Sequence, residues 1–151
     1  MDSVDTLESY VHELPLPNQV FFALVEATAR LVEVSDKYWQ SKGIHGARVR
    51  ILVEIMKSGG SMLPSVLAQR IGVTKSNITL LLQPLEQDGL VLRGSDPQDG
   101  RKSIISITAA GRELLLHHLP DNRTLVAERM QALDEQELHQ LMGLLTKLKR
   151  R

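Results

Sequence analysis

The stretch LAQRIGVTKSNITLLLQPLEQDGLV, Leu67 to Val91, sets Gly72 between two apolar patterns of helical period and follows it with small polar residues. Gly72 suits the left-handed turn that closes one helix, and Val73 is an apolar plug between the two helices it joins. Thr74 suits the capping position of the second helix, which runs to about Gln87 and turns Ile78, Leu81, Leu82 and Leu85 toward a core. A helix-turn-helix results. Its second helix leaves Lys75, Ser76, Asn77 and Thr79 at an exposed tip, with Gln83 one turn further on. A helix tip entering a major groove requires such side chains: Lys for phosphate or guanine, Asn and Gln for adenine, Ser and Thr for phosphates or thymine. Alone, this polar tip suits an ordinary capped, solvated helix equally well. The segment that follows decides for DNA.

Pro84 lies inside the second helix and is expected to kink it without ending it, because Leu81, Leu82 and Leu85 keep the period across it. Asp88 and Gly89 end the helix, and LVLRG (90–94) and SIISIT (103–108) read as two strands around the polar tip SDPQDGRK (95–102). Asp99-Gly100 is turn chemistry, and it places Arg101 and Lys102 on a projecting hairpin. Such a wing reaches phosphates or inserts Arg into a narrow minor groove. Arg93 on the first strand is a further candidate for a phosphate contact.

Upstream, Pro15 and Pro17 punctuate an N-terminal arm, and Asn18 is expected to cap a long helix to about Lys42, ended by Gly43. Another helix runs from about Gly46 to Lys57 and stops at Ser58-Gly59-Gly60, and Pro64 suits the first position of a short one to Ile71. Leu63 is a weak residue at the position before it. Downstream, Thr108 caps a helix that Pro120 is expected to bend or interrupt. Asp134 to Glu137 has the spacing of a capping box for a last helix, along which Leu138, Leu141, Met142, Leu145 and Leu148 form a stripe. A helix this rich in Leu needs a partner surface, either the preceding helix or a second chain. Lys147, Lys149, Arg150 and Arg151 complement the dipole at its end.

The chain has 151 residues, enough for one domain, with 18 basic and 18 acidic side chains. Any basic surface is therefore local. The absence of cysteine excludes disulfides, thiolate metal sites and thiol redox sensing. The acidic start lacks the basic-then-apolar order of a secretory signal, and no apolar run approaches a membrane span, so a soluble cytoplasmic protein is expected. No nucleophile–base constellation is recognisable among Ser65, Ser76 and the histidines, so an enzyme is not expected. His117 and His118 are adjacent and project about 100 degrees apart on a helix, and His12, His45 and His139 have no ligand company at metal spacing. Neither a metal nor a cofactor is expected.

The stretch from Leu67 to Leu114, in its order of helix, turn, recognition helix, "LE..GLV" strand, Asp-x-Arg wing and "LT..G"-like helix start, resembles the MarR family of winged-helix transcriptional regulators. The resemblance implies a mainly helical winged helix-turn-helix (44–107) with a two-stranded wing. It also implies a homodimer held by helices at 5–43 and 108–151, and repression at a pseudo-palindromic operator in double-stranded DNA. Carried over by residue, it puts Lys75, Ser76, Asn77 and Thr79 at the major groove, and Thr74 and Gln83 of the same helix complete the DNA-binding candidates there. Arg101 then enters the minor groove, Asp99 steadies the wing, and Lys102 and Arg93 stand beside them. Many members of the family carry Arg just after the position matched by Thr79, whereas Leu80 stands here. A small aromatic or phenolic effector is the family's other expectation, and Tyr38, Trp39, His45 and Arg48 are candidates to line its site, as an aromatic wall and a cation suit an anionic ring. The competing reading is a winged helix that binds protein and not specific DNA. It requires an apolar exposed face on the recognition helix.

Overall fold

The computed structural model describes residues 3–150, with side chains from Thr6 onward. In chain order the elements are α1 (Ser3–His12), α2 (Leu16–Ser41), α3 (Gly46–Lys57), β1 (Ser61–Met62), α4 (Pro64–Ile71), α5 (Lys75–Gln87), β2 (Val91–Ser95), β3 (Ser103–Ile107), α6 (Ala109–Arg129), a 3-10 turn (Met130–Ala132) and α7 (Glu135–Lys149). The helix-turn-helix is α4–α5, and the wing is the β2–β3 hairpin.

The turn that organises this arrangement forms as its residues dictate. Gly72 adopts φ +76, in the left-handed region open to glycine, and donates its N–H to the Ala68 carbonyl. Val73 is half-buried against the core. The Thr74 hydroxyl oxygen accepts the Asn77 N–H at 3.2 Å, satisfying one of the orphan donors of α5. Leu63, by contrast, gives α4 no side-chain cap, and Pro64 begins the helix without needing a partner for its nitrogen.

Ile51, Leu52 and Ile55 of α3, Leu67 of α4, Ile78, Leu82 and Leu85 of α5, Val91 and Ile105 of the sheet, Leu115 of α6 and Trp39 of α2 form one buried cluster. Each aliphatic side chain withdrawn this fully from water contributes about 1.5–3 kcal/mol. No polar or charged residue joins the cluster. It fixes the attitude of α5: with Ile78, Leu82 and Leu85 inward, the opposite side of that helix must face out.

Four expectations need correction or extension. The long helix begins at Leu16, not at Asn18: Pro15 holds the N-cap position without a side-chain cap, and a proline lies in the first turn. Proline's fixed φ and missing N–H suit that turn, and Gln19 Nε2 ties it to the Leu14 carbonyl at 2.7 Å. The arm before it carries a helix of its own, α1. The sheet has three strands in the order β1-β3-β2, because Ser61 and Met62 pair with Ser106 and Ile105. A 2.8 Å hydroxyl pair between Ser61 and Ser106 closes that edge. Finally, α6 runs through Pro120 without interruption, as α5 runs through Pro84. Each proline forfeits one backbone bond, which the rest of the helix tolerates.

The start of α6 is locked to the strand entry. Thr108 Oγ1 accepts the Gly111 N–H at 3.1 Å and donates to the Gly89 carbonyl at 2.7 Å. A Cβ on Gly111 would lie 2.5 Å from the Leu90 carbonyl oxygen, so only glycine permits this approach. At the far end, Asp134 and Glu137 form the reciprocal capping box that starts α7. The terminal helices bury little: Trp39 is the one buried residue of α2, and α7 has none.

Candidate nucleic-acid interface

The tip of α5 leaves Thr74, Lys75, Ser76, Asn77, Thr79 and Gln83 exposed. The Thr79 hydroxyl donates back to the Lys75 carbonyl at 3.1 Å, which leaves its methyl and an oxygen lone pair for a partner. Ser76, Asn77 and Gln83 have open polar ends on one helix face, a mixture of donors and acceptors, and Lys75 has one on the side toward the wing. One apolar residue interrupts it, Leu80.

Beside this face a concave cleft of about 480 Å³ runs between the start of α4, α5 and the wing, lined among others by Ser65, Lys75, Thr79, Arg93 and Lys102. Three cations, from a helix and two strands or their turn, thus border one groove, the arrangement that a phosphodiester backbone lying between helix and wing would meet. Arg93 is not free in it: its Nε donates to Glu86 Oε1 of α5 at 2.8 Å. This half-exposed pair ties the wing to the recognition helix and leaves the other guanidinium donors of Arg93 for a phosphate.

At the wing tip, Asp99 Oδ1 accepts the Arg101 N–H at 3.2 Å and the Arg101 Nε–H at 3.3 Å, while the Lys102 N–H returns to the Asp99 carbonyl at 3.0 Å. Asp96 Oδ1 accepts the Gln98 N–H at 2.9 Å on the other side of the tip. The carboxylates act here as turn builders. The Arg101 side chain remains 92% exposed, so its ion pair with Asp99 contributes little to stability and orients the guanidinium.

The residues expected around an effector lie at the junction of α2 and α3. Trp39 is in the core, in edge contact with the Tyr38 ring at 5.1 Å. Trp39 borders a cleft shared with Ser35, Arg50 and Asn122, while His45 borders a separate one with Asp36 and Gln40. Arg48 is half-buried on α3. What sequence reasoning missed is His118 of α6. The Tyr38 hydroxyl donates to the His118 carbonyl at 3.3 Å and lies 3.5 Å from its Nδ1, and the imidazole stands edge-on to Trp39 at 5.6 Å. No signal in the sequence links residues 80 positions apart. Burial first, then the neighbouring His117 and Lys42, hold the His118 ring below the ordinary imidazole range, against an opposing pull from Asp121. Burial and then Asp121 raise the Tyr38 phenol. A further cleft of about 390 Å³ between α3 and α6 is apolar, lined by Val53, Met56, Leu115, Leu116 and Leu119, with Arg112 as its cation. Among the described residues no group of three His, Cys, Asp or Glu side chains is placed to hold a metal.

The family model described as MarR family matches residues 42–102, the span from the end of α2 through the wing tip. The winged helix is similar to the MarR family. The similarity extends beyond the matched span. The chain is 29% identical over 120 residues to the HTH-type transcriptional repressor YetL of Bacillus subtilis, covering 79% of this chain and 72% of that one. It is 28% identical over 148 residues to the HTH-type transcriptional repressor MdtR of the same organism, covering 98% and 89%. The structure of a MarR mutant from Escherichia coli complexed with operator DNA superposes with a TM-score of 0.76 at 22% identity, over 91% of this chain and 100% of that one. That likeness is one of fold, and it includes the helices outside the matched span. No described helix is long and apolar enough to cross a membrane.

Proposed function

We propose that this chain is a MarR-family, sequence-specific DNA-binding regulator, a dimeric repressor that sets α5 in the major groove and the wing in the adjacent minor groove of a pseudo-palindromic operator. The observation that carries the reading is the polar tip of α5 beside the cleft bordered by Lys75, Arg93 and Lys102, with the exposed Arg101 next to Lys102 in the wing turn. An enzyme reading has nothing comparable, and the relatives are regulators. The protein-binding alternative would require a wholly apolar face on α5, whereas Leu80 and the half-buried Pro84 are flanked there by exposed Ser76, Asn77 and Gln83.

The dimer is proposed from the terminal helices. Tyr10 and Val11 of α1, Phe21 and Phe22 of α2, and Met142 and Leu148 of α7 are all exposed. Apolar surface on this scale marks an interface. Two half-sites about 34 Å apart require such a bridge between the wings. An effector, if a small aromatic acid, would sit where α2 and α3 meet, near Tyr38, Trp39, His45 and Arg48, and would act by binding the DNA-competent and incompetent dimers unequally.

The test is fluorescence anisotropy on duplexes enriched from a random pool by the purified chain, at two salt concentrations, with Lys75→Ala and Arg101→Ala beside the parent. Each substitution is expected to weaken binding on the order of ten-fold and to leave the thermal unfolding midpoint in place. Unchanged affinity in both variants would sink the assigned contacts.

A further inference from the structure

We infer that Leu80 is a base-reading residue that selects a thymine, or another pyrimidine carrying a 5-methyl group, in each half-site; this rests on the DNA-binding reading above. Leu80 lies two positions from Ile78 and from Leu82, so it stands about 200 degrees around the helix from both of these core residues. It therefore points away from the core, into the middle of the face that also holds Ser76 and Gln83, and it is 64% exposed. Between Gly46 and Ile107, Leu80 and Leu92 are the large hydrophobic side chains left exposed, and Leu92 is on the wing strand. Pro84, one helical turn beyond Leu80, is half-buried and extends the apolar strip along the same side.

The chemistry of the groove limits what such a strip can meet. Along the major-groove edge each base presents hydrogen-bond donors or acceptors, and thymine alone of the four bases adds a methyl group. An isobutyl side chain held over a guanine or cytosine edge would strip water from polar atoms and offer no replacement bond. Over a thymine methyl it removes apolar surface on both sides from water. Leu80 therefore discriminates by attraction to one base and by desolvation of the others, and the flanking Ser76, Asn77 and Gln83 supply the hydrogen bonds around it.

The experiment uses the full chain, the duplex it enriches from a random pool, and variants of that duplex in which one thymine at a time in both half-sites is replaced by deoxyuridine, which removes only the methyl group. For the parent protein, one position is expected to lose about four-fold per methyl, and on the order of ten-fold over the two half-sites, the value of one buried methyl group each. Leu80→Ala, whose fold is checked by circular dichroism, should bind the parent duplex more weakly and show no further loss at that position. An equal loss in both proteins, or no loss in either, overturns the inference while leaving specific DNA binding intact. Undiminished duplex binding by Leu80→Ala also overturns it. Failure to enrich any sequence overturns the DNA-binding reading and the inference together.

Discussion

The winged unit and the terminal helices of this chain use the same apolar residues to opposite ends. In the unit from α3 to the start of α6, Ile55 and Leu82 are at 0% exposure, while in the terminal helices Phe21 is at 61% and Met142 at 62%. The difference is one of completeness. Around α5 every helix and the sheet contribute to a shared core, so that module satisfies itself. α1, most of α2 and α7 are amphipathic helices whose apolar sides have no cover within the single chain. The winged unit is thus built as a finished part, and the proposed dimer would supply the cover that the terminal helices lack.

The largest effect should come from breaking the frame. Phe22→Asp combined with Met142→Asp places charge on the exposed apolar sides of α2 and α7, and light scattering should then report monomers where the parent is dimeric. Affinity for a two-half-site duplex should fall by about 10²–10⁴, because the second contact is no longer tethered to the first. A dimer that survives the double substitution would place the interface elsewhere. The finished part fails differently. Leu82→Ala should cost about 2–5 kcal/mol in urea unfolding by leaving a cavity among Ile55, Ile78 and Leu85, a loss of stability, not of association.

Smaller effects sharpen the contrast inside the winged unit. Arg101→Ala removes a fully projecting cation that supports no packing. Its consequence should be confined to DNA affinity and to a salt slope shallower by about one per chain, about two for the proposed dimer, with thermal stability unchanged. The smallest effect is at the hinge between frame and module. The folded His118 imidazole binds its proton less readily than the unfolded chain does, so its contribution to stability is present above the unfolded value near pH 6.5 and is lost as pH falls through the lower folded value. Trp39 is the chain's one tryptophan and touches that ring edge-on, so its fluorescence should titrate in the same window. His118→Asn should flatten both curves, and a titration that persists in that variant would assign the change to another group.

Local chemistry was legible wherever a residue's own conformation decides the outcome. Gly72 at positive φ, the Thr74 and Thr108 caps and the Asp134–Glu137 capping box each satisfy backbone groups within four positions of themselves, and each formed as the sequence indicated. Features that depend on distant partners were not legible. A two-residue strand such as Ser61–Met62 is too short to show alternation, and it exists because β3 offers it an edge. The Arg93–Glu86 pair joins a strand to a helix, and the Tyr38–His118 contact joins α2 to α6, so neither has a spacing signature. Asn18 has the chemistry of a helix cap, yet the prolines at 15 and 17 start α2 by geometry alone. The exposed polar tip of α5 was readable as a set, and the structure added the common cleft that Lys75, Arg93 and Lys102 share.

The central claim is that two copies of this finished reader, joined by their terminal helices, occupy one operator. Its most direct test is the stoichiometry and sequence preference of the purified chain on its enriched duplex, measured by anisotropy with scrambled competitor and by sedimentation of the complex. The account predicts two chains per duplex, binding that competitor does not displace, and weakening as salt rises. A single chain per duplex, or equal affinity for the scrambled sequence, would contradict it.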